Sequence, residues 1–384
     1  MKATPAAAES GNSNYDRLDL VVRKYERIFG VLVPVAAVLV ALLVVAILIA
    51  VQGASPLRAY AALFESAFGS RYALATSLKT ATPLILVGLG IALAARGGII
   101  NLGGEGQIIA GGVLGSLVAI YVSIGSPLLH GALALLAGFA GGALWALIPG
   151  YFYARRGINI IVTTVLLNEI AIGILATLVN GPLKEPPGFY VQSPLIAETA
   201  KLPILLARTP LHAGFAIAIV LAVVTYVLNF RTSLGFEIRV LGENPLAAKH
   251  SGIRVVSVQI LSMLLAGGLA GLAGAAEIMG TQHRLRAGFL ENYGYEALAV
   301  ALLGQKHPLG VVLAAILFGA LKAGRGGMVR VANLPVSLSL VLSGVIIFFV
   351  AVSPALMRVP RLIAMRELRG ARPAGTLTTG KEAA

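Results

Sequence analysis

The sequence predicts an all-α, polytopic integral membrane protein: a helical bundle of about ten transmembrane segments, with a short or broken helix in each half. Three observations carry that expectation. Hydrophobic residues make up 58% of the 384 residues and charged residues 12%, with a mean hydropathy of +0.88, which excludes an ordinary water-soluble domain. The apolar residues are gathered in runs long enough to cross a hydrocarbon layer. The 45 glycines suit helices that approach closely or break.

Charge and cysteine content narrow the function. The net charge is +14, but the bases sit in short segments between apolar runs. That pattern orients a chain in a membrane and gives no reason to expect nucleic acid as a partner. The chain has no cysteine and 5 scattered histidines. Disulfides and thiolate metal sites are thereby excluded, and no metal or other cofactor is expected.

Taken in order, residues 1–30 form a polar cytoplasmic segment in which Arg17, Arg23, Lys24 and Arg27 precede the first apolar run, 31–51. That run is too long for a signal-peptide core and reads as a retained anchor, with Pro34 tolerated in its first turn. Leu57, Tyr60, Ala61, Phe64 and Phe68 predict an amphipathic helix over 55–70, lying at the outer surface. The second span is 72–95, with Lys79 near its outer end, where its long stem can snorkel. Spans over 108–124, 131–153 and 158–179 follow. The fourth carries Gly138 and Gly142 at close-packing spacing, and the fifth holds Asn168-Glu169 at its centre.

Residues 180–211 are proline-rich and read as an outer loop before the sixth span, 213–230. The basic cytoplasmic loop 231–257 leads to the seventh span, 258–280, with Gly267, Gly271 and Gly274 on one face. The segment 295–304 is too short to cross alone, and 309–323 and 336–355 are fuller. Counting the short segment makes the number even and places both termini in the cytoplasm. It also puts Arg325 and Arg330 outside, against the positive-inside rule. The transmembrane domain is then 31–357, and 358–384 is a basic cytoplasmic tail expected to be disordered.

The polar, glycine-dense stretch Arg96–Gln107 organises the rest. Its residues allow two readings: a tight connector outside the bilayer, or an irregular segment buried in protein or lining a wet cavity. Arg96, Asn101, Glu105 and Gln107 are expensive in lipid and are functional candidates. A mid-span Glu169 costs roughly 2.5–3.5 kcal/mol unless it faces the bundle, so Asn168 and Glu169 are expected inside. Glu277, Glu291 and Glu296 lie near predicted helix ends and are weaker candidates. A second interruption at 291–308 mirrors the first, and paired interruptions point to a passage between repeats. Gly375–Lys381 approaches a phosphate-binding loop, but Glu382 replaces the required hydroxyl and no helix follows. No ATP site and no catalytic residues are expected, so the chain is not an enzyme.

In the cytoplasmic loop, Gly242-Glu-Asn-Pro-Leu-Ala-Ala-Lys-His-Ser-Gly-Ile253 reads as a short capped helix. Asn244 is its cap, Pro245 its first residue and Gly252 its exit.

Asn101-Leu-Gly-Gly-Glu-Gly-Gln107 resembles the signature of membrane permeases of bacterial ABC importers in the branched-chain amino acid/simple sugar superfamily. It is nearest the nucleoside-type form Asn-Ile-Gly-Ala-Glu-Gly-Gln, departing at Leu102 and Gly104. The pattern in 242–253 resembles the coupling helix of the same permeases, through Gly242, Asn244, Pro245, Ala247, Ala248 and Gly252. Further similarity lies in Gly141–Gly150 and Leu302–Gly310, and the whole covers about 75–355.

The resemblance implies a permease subunit of the bacterial inner membrane that moves a small polar solute, nucleosides first and monosaccharides second. Asn101, Glu105, Gln107, Asn168 and Glu169 would line or brace the pathway, and Ala247 and Ala248 would fit a groove of the ATPase. The implied partners are a cytoplasmic ATPase that supplies ATP hydrolysis, a second permease copy or paralogue, an extracytoplasmic solute-binding protein and membrane lipid. On residues alone an ion-coupled secondary carrier using Glu105 or Glu169 is the rival, but such a carrier has no use for an ATPase dock.

Overall fold

The computed structural model describes residues 32–352 except 34, 188, 291, 336–340, 342–343 and 351. The N-terminal segment 1–30, much of 336–355 and the tail 358–384 lie outside the described residues. The regular elements of the described chain are all helical, with isolated bridges at Gln192–Arg286 and Ile204–His212. The helices are α1 (Val35–Val51), α2 (Pro56–Phe68), α3 (Arg71–Arg96), α4 (Gly104–Tyr121), α5 (Pro127–Arg156), α6 (Ile160–Asn180), α7 (Gly214–Arg231), α8 (Ser233–Glu243), α9 (Pro245–His250), α10 (Val255–Glu277), α11 (Tyr293–Leu303) and α12 (Pro308–Val331). α10 runs on through a π-turn, Ile278–Gln282. A 3₁₀ turn, Glu198–Ala200, interrupts the long loop.

Among the described residues, 7 helices are long and apolar enough to cross a membrane: α3 to α7, excluding none of them, α10 and α12. α1 and α11 are apolar but shorter. The described residues of the expected segments 31–51 and 295–304 are helical, apart from Gly304.

Helix starts follow local chemistry. Ser55, Ser70 and Ser126 each accept an N–H of the first turn of α2, α3 and α5, and Asn159 does so for α6. Gly157, at φ 66°, ends α5 in the left-handed region that a side chain disfavours.

α10 sits at the centre, packed on α3, α4 and α5. The approach is close because glycines face glycines. A Cβ on Gly142 would lie 2.1 Å from the Gly267 carbonyl oxygen, and one on Gly271 would lie 2.3 Å from that of Gly138. A Cβ on Gly111 of α4 would meet Gly271 Cα at 2.1 Å. The small-residue faces of α4, α5 and α10 thus bring three backbones to one seam, where dispersion contacts replace a hydrophobic driving force that lipid does not supply.

Two sequence expectations change in detail. α2 is amphipathic, but its packed face is built of Ala59, Ala62, Leu63 and Ala67, while Leu57, Phe64 and Phe68 point outward. Lys79 does not snorkel outward. Its side chain is 19% exposed and its Nζ lies 4.0 Å from Glu277 Oε1 on α10. A charge with a buried counter-ion within reach gains more from that pairing than from stretching to the surface.

The glycine seam makes a direct test. Gly271→Val should destabilise the protein by at least the ~1–3 kcal/mol of ordinary overpacking, because the obstacle is backbone. Gly173→Ala, on an open face with nothing within 4 Å, should leave stability unchanged. Melting of the two purified variants, with membrane abundance alongside, checks both.

Candidate functional site

α3 ends at Arg96 and the chain turns at Gly97 and Gly98, the latter at φ +77°. It then runs extended to Gly103 before α4 begins. This leaves the first N–H groups of α4 without helical acceptors, and nearby side chains satisfy them. The Gly103 N–H donates to Asn101 Oδ1 at 2.9 Å. Asn101 and Gln107 exchange a reciprocal amide pair, Nδ2 to Oε1 at 3.0 Å and Nε2 to Oδ1 at 3.1 Å. Asn168 reaches across from α6: its Oδ1 accepts from Gly106 N at 2.9 Å, and its Nδ2 donates to the Leu102 carbonyl at 2.9 Å and to Tyr295 Oη at 3.3 Å.

Glu105, in the first turn of α4, accepts from the Gly294 N–H at 3.0 Å. Gly294 must be glycine for this, since a Cβ would lie 2.4 Å from Glu105 N. The carboxylate therefore stands at the N-termini of both α4 and α11, where the helix dipoles favour negative charge.

The far end of α11 fixes how deep this lies. Arg96 Nε donates to the Lys306 carbonyl at 2.8 Å, just past the end of α11. The 11 residues of α11 rise ~16 Å, so the stretch 97–103 dips back into the bundle by about that distance. The stretch is irregular backbone folded back against the bundle, with Ile99 and Asn101 buried and Gly98 and Ile100 exposed in the isolated chain.

A cavity of ≈ 550 Å³ opens beside the break, bordered by Glu105, Glu169, Phe289, Asn292 and Tyr295. Of the five sequence candidates, Glu105 and Glu169 reach it. Asn101, Gln107 and Asn168 are buried and hold the backbone that shapes it. Glu169 is exposed in the isolated chain, at the cavity mouth, whereas Asn168 faces the bundle.

Sequence reasoning missed several contributors. Phe289, Asn292 and Tyr295 come from the loop before α11 and from its first turn, where no motif marks them. A second polar cluster lies between α11 and α12. Lys322 Nζ is 2.7 Å from Glu296 Oε2 and 3.5 Å from the centre of the Tyr293 ring. Glu277 and Glu296 were weaker candidates in the sequence and Glu291 lies outside the described residues, while the lone charge of Lys322 in an apolar run was a signal left unused.

The loop 242–253 forms α9 with the caps its sequence implies. Asn244 Oδ1 accepts from Leu246 N and Ala247 N, each at 3.0 Å, and Gly252 leaves the helix at φ +80°. Ala248, assigned from sequence to a groove of the ATPase, is fully buried among Leu93, Ile238, Leu241 and Val258 of its own chain. Its small side chain serves internal packing, because residues of α3, α8 and α10 close over that face. Leu246, 70% exposed at the tip, and Ala247 beside it are the outward residues. Gly242 touches the break itself: a Cβ there would lie 1.9 Å from the Arg96 carbonyl oxygen.

Two histidines lie near the other end. His212 Nδ1 accepts from Gly214 N at 3.2 Å. Burial first, then the charges of Lys79 and His283, push its pKa down to about 4 from the ordinary 6.5. His283 is also lowered, mainly by burial.

Two outcomes follow. Asn168→Leu strands the Gly106 N–H and the Leu102 carbonyl, at about 1–3 kcal/mol each, so its melting temperature should fall well below that of Asn168→Asp, which keeps the acceptor. With its folded pKa depressed, His212 takes up a proton in the unfolded chain first. Stability should therefore fall as pH drops from 6.5 towards about 4, and melting curves of His212→Gln across that window should be flatter than those of the unaltered protein.

Comparison with known proteins shows the family. The family described as branched-chain amino acid transport system, permease component, matches residues 73–351. A glucose ABC transporter permease protein of Haloferax volcanii is 36% identical over 331 residues, 83% of this chain and 87% of that protein. A guanosine ABC transporter permease protein of Bacillus subtilis is 34% identical, over 86% of this chain and 96% of its own length. A nucleoside ABC transporter permease protein of Lactococcus lactis is 34% identical, over 84% and 91%. No solved structure matches the chain. With its multi-pass helical bundle and a match over most of its length, the chain belongs to the branched-chain amino acid transport permease family, among the permease subunits of ABC transporters.

Proposed function

We propose that this chain is the permease subunit of an ATP-driven importer that moves nucleosides by alternating access. The observation that carries the substrate class is the cavity at the break, with two carboxylates, Glu105 and Glu169, and two aromatic rings, Phe289 and Tyr295. Carboxylates accept hydrogen bonds from ribose hydroxyls and base N–H groups, and the rings offer a base a stacking face. Relatives named for guanosine and nucleosides support this reading. A monosaccharide is the second reading, favoured by the glucose permease relative. An ion-coupled carrier accounts less well for a capped, outward-facing α9.

In this reading α9 seats on a separate cytoplasmic ATPase through Leu246 and Ala247, and the Gly242–Arg96 contact carries its movement to the break. Asn101, Gln107 and Asn168 brace the pathway that Glu105 and Glu169 line. A second permease subunit and an extracytoplasmic solute-binding protein complete the importer. That Bacillus subtilis has two guanosine permease proteins, both similar to this chain, supports a paired subunit. The 7 long helices, with α1, α11 and the segment 336–355, make about ten crossings of the bacterial inner membrane. Both termini then lie on the cytoplasmic side.

Uptake of labelled guanosine and glucose by cells lacking the native permease tests the substrate. Guanosine accumulation alone is expected, and glucose accumulation alone would select the second reading. Glu105→Gln keeps an oxygen for Gly294 N–H but loses the charge, and should lower uptake about tenfold (~1.4 kcal/mol) at unchanged abundance. Full uptake in that variant would remove Glu105 from the pathway. Because the chain lacks cysteine, Leu246→Cys can be cross-linked to a cysteine in the ATPase. Failure at both Leu246 and Ala247 in an active complex would mean the dock lies elsewhere.

A further inference from the structure

A cluster of cations gathers at the α9 end of the bundle, around the ring of Phe230. The guanidinium of Arg96 lies 4.6 Å from the ring centre and that of Arg239 lies 5.6 Å away. The His307 ring stands 5.4 Å off. Lys306 is exposed and joined to Arg96 through its carbonyl, and its Nζ reaches the Ala95 carbonyl at 3.3 Å. Gln305 and Lys306 both hold left-handed backbone, at φ 52° and 57°, which side chains rarely adopt. No ion pair among the described residues joins Arg96, Arg239 or Lys306 to a carboxylate, and Arg239 Nη1 is buried without a hydrogen-bond partner. A buried guanidinium nitrogen without an acceptor is costly, and two positive charges on one ring repel. The arrangement lacks an anion.

Directly beside this cluster a groove of ≈ 500 Å³ runs between α1 and α12. Its walls are apolar, including Val38, Leu39, Leu313, Ala314 and Leu317, and its end is formed by Gln305 and His307. The apolar groove and the cationic end meet at the Gly304–His307 turn. A free phosphate would satisfy the cations and leave the groove unexplained, and a neutral lipid tail would do the reverse. A molecule with two apolar chains and a negatively charged head satisfies both.

We propose that the α1–α12 groove with its Arg96–Arg239–Lys306 end is a binding site for an anionic phospholipid. The acyl chains lie along α1 and α12, and the phosphate meets Lys306 and the two guanidinium groups, whose forked donors match phosphate oxygens. The site rests on the orientation proposed above, which places this end at the cytoplasmic leaflet. There, basic pockets between helices recognise charged head groups.

The test reads lipid binding, not transport, so it does not depend on the solute. The assembled importer is reconstituted in nanodiscs holding equal amounts of phosphatidylglycerol and phosphatidylcholine with the same acyl chains. It is then released gently, and the lipids retained on the permease are read by native mass spectrometry. Phosphatidylglycerol should be enriched about five-fold for each cation it meets. Lys306→Gln, at an exposed position, should lose one such factor, and adding Arg239→Gln should lose a second. Leu313→Trp, which fills the groove from a lipid-facing position, should lower retention of both lipids. Equal retention of the two lipids by the unaltered protein, or an unchanged ratio in Lys306→Gln, overturns the proposal. So does enrichment that inorganic phosphate abolishes while Leu313→Trp has no effect, since the site would then hold a free anion. Lipid enrichment with no uptake of any tested solute would leave this site standing while the transport reading fails.

Discussion

Backbone polar groups cannot be left to lipid, and the architecture around residues 97–103 follows from that constraint. Breaking a helix inside the bundle frees several N–H and C=O groups, each costing ~1–3 kcal/mol if buried without a partner. Asn168 satisfies one of each, at Gly106 and Leu102. Asn101 takes the Gly103 N–H, and Gln107 occupies the rest of the Asn101 amide. Because the donors and acceptors lie on α4, α6 and α11, satisfying the break ties three helices together. The same arrangement leaves room for the cavity, since irregular backbone packs less tightly than helix on helix.

Close backbone contact does two jobs at different places. At the α4–α5–α10 seam it supplies packing that hydrophobicity cannot supply in a membrane. At Gly242 it brings α8, and through it α9, against the Arg96 carbonyl. Backbone in van der Waals contact with backbone has no flexible side chain between to absorb a displacement. A push on α9 therefore has a short, stiff route to the residues that shape the cavity. Ala248 belongs to the same route: its burial against Leu93 and Val258 anchors α9 to α3 and α10.

Much of this was legible in the sequence. Long apolar runs marked the spans, glycine density marked the break, and Asn-Pro followed by glycine marked α9, because each is a local property of the chain. What stayed hidden depends on partners far away in sequence. Lys79 on α3 and Glu277 on α10 have six helices between them in chain order, and nothing local shows that one answers the other. Lys322 and Glu296 pair across the α11–α12 turn, which hydropathy treats as two unrelated blemishes. The direction of a side chain on a six-residue helix is likewise undetermined by periodicity, so Ala248 and Leu246 could not be told apart. Asn168 and Glu169 are neighbours, but successive residues on a helix point about 100° apart, which is why one is buried and the other reaches the cavity mouth.

That divergence makes α6 the wall of the cavity with the least holding it. α3 is enclosed along most of its length, and α5 and α10 are joined through glycine. α6 turns most of its surface outward, with Leu166, Ile170, Ile172 and Ile174 exposed. Its polar attachment to the break is Asn168, within one turn of which Glu169 borders the opening. Hydrogen bonds to backbone are directional but contribute only about 0.5–1.5 kcal/mol net each, far less than separating a glycine seam would cost. A shift of α6 that exchanges these bonds would change the cavity mouth without disturbing the α3–α10 core. Alternation between open and closed states needs such a difference in stiffness between one wall and the rest. The residues that brace the break thus also set how easily the cavity can change shape.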